Sequence, residues 1–438
     1  MDYFMNERLK HLLKSKSIKN SGWIIGEQVV RMLLQMIVGV ITARYLGPDN
    51  YGSLTYTASF VTFFTSFATL GMDGVLIKKL IEHPQEEGVY IGSCMGLRLI
   101  ASLLSVFTVS VLVFALNPSD PVKLILVFFQ SFQLSFKAIQ ILNSWFQRHL
   151  KSKYVSIGKS AACIVVSAYK IFLLSTSKSI FWFALSSSLS EGVIALVQWF
   201  FYWRESGKTL HFSLRIGKQV LHESYHFILS GLMVAIYSQM DRIMIGLMMT
   251  DADVGYYSAA TAISSMWIFV PSAIISSFRP VIIEIKRGGN NALYLRRLEQ
   301  LYSAVIWLCI LVSACIAVLA RPAVVLLYGT SYLGAIGALR IMIWSETFAM
   351  IGSARGIWIL SENKNKYVKY YLFIGAAVNL LLNASMIPLM GVIGASLATL
   401  ITQIVTSIAA PLLFKETRSH TGIVMRAFCL RWYFAKRR

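Results

Sequence analysis

Apolar residues run along this chain in twelve stretches long enough to cross a bilayer: 23–43, 53–71, 89–116, 122–146, 157–174, 180–202, 225–248, 255–278, 300–319, 335–360, 371–387 and 393–414. A membrane helix needs about 20 such residues to cover the hydrocarbon core. Turn formers punctuate the stretches at Gly47-Pro48, Asn117-Pro118, Pro121, Gly288-Gly289, Pro322 and Pro388. The predicted fold class is an all-α integral membrane protein with twelve transmembrane helices in two six-helix lobes around a central cavity.

The division into lobes comes from an internal likeness. Six stretches precede the longest basic loop and six follow it. Asn50-Tyr51-Gly52 after the first stretch aligns with Asp253-Val254-Gly255 after the seventh, and each is followed by a Ser/Thr/Ala-rich helix start. Parallel repeats of this kind build transporters with a midplane site. The predicted organisation is a basic N-terminal tail (1–22), a first lobe (23–202), an inter-lobe loop (203–224), a second lobe (225–414) and a basic C-terminal tail (415–438).

Composition agrees with this class. Of 438 residues 56% are hydrophobic and only 14% charged, whereas soluble domains carry about 25% charged residues. No cleavable signal peptide is predicted at the start. Thirty of the 41 basic residues fall in segments predicted inside, with both termini cytoplasmic, and three (Arg44, Lys178, Arg321) in those outside. That bias orients the chain and accounts for most of the net charge of +21 without nucleic acid; anionic membrane lipid suffices as its partner. The five cysteines lack metal-type spacing, and neither a cofactor nor a metal is expected.

Charges inside the apolar stretches are harder to place. Apart from Lys159, which stands at a stretch end and is counted with the inside loop before it, eight are basic (Arg31, Arg98, Lys123, Lys137, Lys170, Arg242, Arg340, Arg355) and four acidic (Glu27, Glu191, Asp241, Glu346). Each basic residue costs about 2.5–3.5 kcal/mol at a bilayer centre. A surplus of buried positive charge suits a cavity that attracts an anion. Lys123 and Lys170 lie near stretch ends, where long side chains snorkel, and are set aside. Arg31, Arg98 and Lys137 are the deepest, so the first lobe is expected to hold the anion. Arg340 and Arg355 are further candidates for the cationic cavity.

Polar stripes accompany the cations. Gln130, Gln133, Lys137, Gln140, Ser144 and Gln147 recur three or four residues apart on one helix face. Gln130, Gln133 and Gln140 are candidate substrate contacts, as is Trp344 one turn after Arg340. The same stripe also reads as glue between helices. Glu27 and Arg31 are four apart and either pair structurally or open to a ligand. Glu27, Glu191, Asp241 and Glu346 are candidates for ion coupling. No nucleotide-binding loop, metal-hydrolase motif or long outer loop is present, so no catalytic residue is expected and translocation is the chemistry left.

Several stretches resemble polysaccharide-unit flippases of the multidrug/oligosaccharidyl-lipid/polysaccharide exporter superfamily, O-antigen translocases in particular. They are Ala43-Arg44-Tyr45-Leu46-Gly47-Pro48 with Tyr51-Gly52, Leu70-Gly71-Met72-Asp73, Gln239-Met240-Asp241 with Met244-Ile245-Gly246, Val254-Gly255-Tyr256-Tyr257-Ser258-Ala259-Ala260, and Gly391-Val392-Ile393-Gly394-Ala395. The resemblance implies a non-enzymatic transporter in a bacterial inner membrane. It would carry an undecaprenyl-diphosphate-linked oligosaccharide to the outer leaflet by alternating access, as in lipopolysaccharide biosynthesis. A polysaccharide polymerase and a chain-length regulator are partners the resemblance admits. A cation-coupled drug exporter and a membrane-embedded glycan polymerase or ligase stay open as alternatives.

Overall fold

A computed structural model describes residues 16–206 and 209–429, with side chains from residue 30 onward. The basic tail 1–22 and the loop 203–224 therefore lie partly outside the described residues, as does the side chain of Glu27. The first half comprises α1 (Lys16–Thr69), α2 (Asp73–Glu82), α3 (Glu87–Leu116), α4 (Pro121–Ile139), α5 (Leu142–Arg148), α6 (Lys153–Ser175) and α7 (Ile180–Ser206). The second comprises α8 (Leu214–Met248), α9 (Asp251–Ser265), α10 (Phe269–Arg287), α11 (Asn291–Val318), α12 (Ala320–Tyr328), α13 (Ala335–Ser361), α14 (Val368–Ile404), α15 (Ala410–Leu413) and α16 (Arg418–Phe428). A π-helical turn, Val405–Ala409, joins α14 to α15.

Among the described residues nine helices are long and apolar enough to span a membrane, or ten if α9 and α10, bent by 43°, form one span. Two of the nine, Val30–Glu82 and Asn365–Leu413, run 53 and 49 residues, about twice what a bilayer needs. Each is broken at a glycine with positive φ, Gly47 at 72° and Gly391 at 59°. Only a residue without a Cβ adopts such angles cheaply, so the chain reverses there without a loop. Nine to ten continuous apolar helices thus cover the expected stretches among the described residues, the two longest each taking in two of them across a glycine break.

The described residues form two compact units. One takes Ala68–Val106 and Phe128–Ser224 with the described part of Met1–Thr42; the other takes Ala43–Phe67, Phe107–Val127 and the described part of Tyr225–Arg438. This differs from the expected lobes 23–202 and 225–414, because the ends of α1 and α3 and the start of α4 belong with the second half.

The physical reason lies in the two similar turns, which meet back to back inside that second unit. A Cβ on Gly52 would stand 1.7 Å from the Asp251 carbonyl oxygen, and one on Gly255 2.2 Å from that of Pro48. Ser258 Oγ donates to Thr55 Oγ1 at 3.0 Å across 203 residues of sequence. The same separation relates Gly52 to Gly255 and Pro48 to Asp251. Each repeat therefore makes on its twin the contact its twin makes on it, which is how a two-fold axis is recognised. Thr250 and Asp253 cap α9 reciprocally, the Thr250 Oγ1 accepting from the Asp253 amide at 3.3 Å and the Asp253 Oδ2 accepting from the Thr250 amide at 3.2 Å.

Residues 415–438, expected as a tail, begin differently. Their described part contains α16, whose Ile423, Val424 and Ala427 are buried against α11 and α13 residues such as Tyr302 and Trp358. The basic residues on its other face hide this amphipathic pattern from a scan for membrane spans. His420 of α16 is fully buried and accepts or donates at 2.7 Å from the Tyr302 hydroxyl. Burial first, and then the positive Arg355 nearby, push its imidazole down to about 3. A group whose folded value is depressed contributes stability above its unfolded value of 6.5, lost as pH falls from there towards 3. Melting of the detergent-solubilised protein is therefore expected to lose up to about 1.4 kcal/mol per pH unit below 6.5 from this residue. His420→Leu should flatten that slope; an unchanged slope would count against a buried neutral imidazole.

Candidate functional site

In the first unit two of the three deep cations already have carboxylate partners. Arg98 on α3 is 1% exposed and donates through Nη2 to Asp73 Oδ2 at 2.8 Å. Asp73 opens α2 just beyond the end of an apolar stretch, so its charge escaped the sequence count within the stretches. Lys137 on α4 lies 3.5 Å from Glu191 Oε1 on α7, and Gln140 Nε2 donates to Glu191 Oε2 at 2.6 Å. Three candidates from two lists thus form one cluster, half-exposed, in which the carboxylate offsets the lysine.

The rest of the glutamine stripe divides. Gln130 is buried, close to where Ser188 of α7 donates to the Phe129 and Gln130 carbonyls at 2.6 and 3.3 Å. That end of the stripe packs helix on helix. Gln133 stays half-buried. Arg31 is half-buried too, and its carbonyl accepts from Cys163 Sγ of α6 at 3.8 Å.

Lys123 and Lys170 depart from the snorkelling expectation. Lys123 belongs to the second unit and is buried, paired with Asp251 at 2.9 Å and Asp120 at 3.4 Å, its ammonium over the Tyr56 ring. Both carboxylates sit just outside the apolar stretches, Asp120 before α4 and Asp251 at the start of α9, and they offset the buried charge. Lys170 lines a cavity of about 290 Å³ in the first unit, between α6, α7 and the Gln35–Val38 turn of α1.

In the second unit Arg355 is a buried cation with no carboxylate paired to it among the described residues. It is 9% exposed, its Nη1 donates to the Thr406 carbonyl, and its guanidinium lies 4.3 Å over the Tyr371 ring. Thr406 belongs to the π-helical turn, where the widened helix frees backbone acceptors. Arg355 Nε is buried without a hydrogen-bond partner. The residue lines a cavity of about 290 Å³ with Tyr237, Ser353, Tyr371, Gln403 and Ser407. Arg340, expected beside it on α13, is instead exposed, and Trp344 is half-buried. Glu346 accepts from Ser264 Oγ at 3.4 Å.

Asp241 on α8 occupies the most elaborate polar site. It is 5% exposed. Tyr257 and Thr399 donate to its Oδ2 at 2.6 and 3.0 Å, and Asn379 and Asn383 of α14 donate to its Oδ1 at 3.0 and 2.5 Å. No lysine or arginine pairs with it among the described residues. The neighbouring Arg242 turns instead to Ser258 Oγ at 3.1 Å. Both amide oxygens, Asn379 Oδ1 and Asn383 Oδ1, are buried without a partner. Sequence reading found the aspartate and missed its companions. The one local signal was Asn379 and Asn383, four apart on one helix face inside an apolar stretch.

Comparison with known proteins places this geometry. Residues 17–286 match the family described as polysaccharide biosynthesis protein. The probable flippase AglR of Haloferax volcanii is 22% identical over 410 residues, which is 90% of this chain and 83% of that protein. The lipid II flippase MurJ in an inward closed conformation superposes with a TM-score of 0.74 at 15% identity, covering 94% of this chain and 92% of the other. An inward-facing multidrug resistance transporter of the MATE family, in the MOP superfamily, gives a TM-score of 0.66 at 14% identity, over 90% and 96% of the two chains. At such identities the solved structures share the fold with this chain.

Proposed function

The chain belongs to the polysaccharide biosynthesis protein family, and from that premise we propose that it is a flippase for a lipid-linked oligosaccharide. The substrate in this reading is an undecaprenyl-diphosphate-linked repeat unit of O-antigen type, moved from the cytoplasmic to the outer leaflet of a bacterial inner membrane by alternating access. Both termini are cytoplasmic, and a polymerase and a chain-length regulator receive the product. The names of a probable flippase and a lipid II flippase among the similar proteins support the substrate class.

Arg355 is the observation that carries the reading. A guanidinium nine-tenths buried in a cavity, with an unpartnered Nε and no carboxylate in reach, leaves its charge for an anion to balance. A diphosphate supplies that anion with several oxygens that the planar guanidinium fork can engage in pairs. Arg31, Lys137 and Arg340 are further contacts in this proposal, and Gln133, Gln140 and Trp344 suit sugar hydroxyls and ring faces. Arg98, held by Asp73, serves the anion only if that pair opens. A drug exporter for cations gains nothing from a buried guanidinium facing its cavity.

Asp241 is the coupling group in this reading, ahead of Glu27, Glu191 and Glu346. It is a buried carboxylate lacking a basic partner, so a proton or a monovalent cation balances it. Turning the Asn379 and Asn383 amides over, a choice hydrogen-bond networks decide, brings both orphaned oxygens towards it with Thr399 and Tyr257. One carboxylate among neutral oxygens suits sodium better than a divalent metal. A bound cation there supplies the positive counter-charge that no side chain gives the carboxylate among the described residues.

Deleting the gene is expected to make diphosphate-linked repeat units accumulate facing the cytoplasm, seen by labelling intact and lysed cells. Normal surface polysaccharide in a clean deletion would overturn the proposal.

A further inference from the structure

We propose that the cavity around Lys170 is a second anion site, one that takes the carboxylate of an acidic sugar. The inference rests on the flippase reading for its biological sense and on geometry for its chemistry. Lys170, Gln35, Ser167, Ser186, Ser187 and Ser190 line about 290 Å³ in the first unit. Lys170, Gln35, Ser167 and Ser190 make no hydrogen bond or ion pair with any described residue. Ser186 and Ser187 donate back to the Phe183 and Ala184 carbonyls at 2.6 and 3.1 Å, so towards the cavity they offer only acceptors. Cys163 Sγ holds α6 to the Arg31 carbonyl at 3.8 Å and fixes one wall.

Among the described residues, buried Ser167, half-buried Lys170 and Ser190, and Gln35 at the exposed edge thus turn unpaired polar groups to one space between apolar helices, and the buried part of that set is costly unless something else satisfies it. The ammonium sets the sign of that something. One flexible point charge among neutral hydroxyls matches the single charge of a carboxylate, and among the described residues no second cation or guanidinium fork lines the cavity to balance a doubly charged phosphate. The hydroxyls and the Gln35 amide match the donors and acceptors on a sugar ring. Ligand sites usually span about 300–1,000 Å³, so a cavity of about 290 Å³ admits one sugar residue and excludes a whole repeat unit. Spacing carries the same message, since Cys163, Ser167 and Lys170 share one face of α6 as Ser186, Ser187 and Ser190 cluster on α7. The site therefore selects among glycans by whether they carry an acidic sugar.

Calorimetric titration of the full-length protein in detergent tests this with sodium glucuronate, glucose and inorganic phosphate. The wild type should bind glucuronate at least about tenfold more tightly than glucose, the difference a hydrogen-bonded charge makes. Lys170→Gln should lose that preference, and Lys170→Arg should keep it. The wild-type comparison needs no variant to fold. Equal binding of glucose and glucuronate, phosphate binding without glucuronate, no binding of any probe, or an intact preference in Lys170→Gln would each overturn the assignment. Flipping of a neutral glycan lipid by Lys170→Gln in proteoliposomes separates the two readings: its persistence leaves the flippase proposal standing whatever the titrations give.

Discussion

Alanine at Gly52 is expected to cut transport about a hundredfold, while alanine at Gly39 leaves it unchanged. The added methyl at Gly52 would lie 1.7 Å from the Asp251 carbonyl oxygen and 3.0 Å from the Gly255 nitrogen, all backbone atoms. Backbone cannot swing aside as a flexible side chain can. Overpacking of this kind costs about 1–3 kcal/mol or more, and the upper figure corresponds to about a hundredfold in a conformational equilibrium. Gly255→Ala should act alike, because its methyl would meet the Pro48 carbonyl oxygen at 2.2 Å. Gly39 has nothing within 4 Å of the added carbon and serves as the control. In the proposed topology this end faces outward, so the variants fail to seal it. Alkylation of a cysteine introduced at Thr55 should rise in both variants. Transport and labelling equal to those of Gly39→Ala would show that the two turns need not touch.

The second large effect is expected at Asp241. Asp241→Asn removes the only charge from a network of four donors, each charge-assisted bond contributing about 1.5–3 kcal/mol. It also puts a carboxamide N–H₂ against two others. Transport driven by a sodium or proton gradient should fall at least tenfold and lose its dependence on that gradient, while insertion persists. Glu191→Gln and Glu346→Gln should keep the dependence. Gradient-dependent transport in Asp241→Asn, measured in the same vesicles, would move the coupling role to another carboxylate.

Legibility in the sequence followed the range of the interactions. The apolar stretches, the orientation bias and the likeness of the turns at Gly52 and Gly255 are local patterns, and the fold reproduces the helices and the repeat contact. The kinks at Gly47 and Gly391 were visible as glycines but not as the positive φ that lets two spans run on as one helix. Long-range pairing was out of reach. Arg98 and Lys123 look uncompensated in the sequence because Asp73, Asp120 and Asp251 lie just outside the apolar stretches. Three of the four companions of Asp241 are 138 to 158 residues away on α14, and nothing in a single sequence ties them to it. Pairing also shifted the expected anion contact. With Arg98 and Lys137 already facing carboxylates, Lys170 and Arg355 are the two of the eight intramembrane cations that line the cavities described above.

The central claim is that this chain moves a diphosphate-linked glycan lipid across a bilayer. The direct measurement is flipping in proteoliposomes of purified protein, loaded with a fluorescent prenyl-diphosphate oligosaccharide and probed by a glycosidase added outside. The account predicts that wild-type vesicles expose the inner pool to the enzyme while Arg355→Ala vesicles and empty vesicles do not. An inner pool equally protected in wild-type and empty vesicles, under either a sodium or a proton gradient, would contradict it.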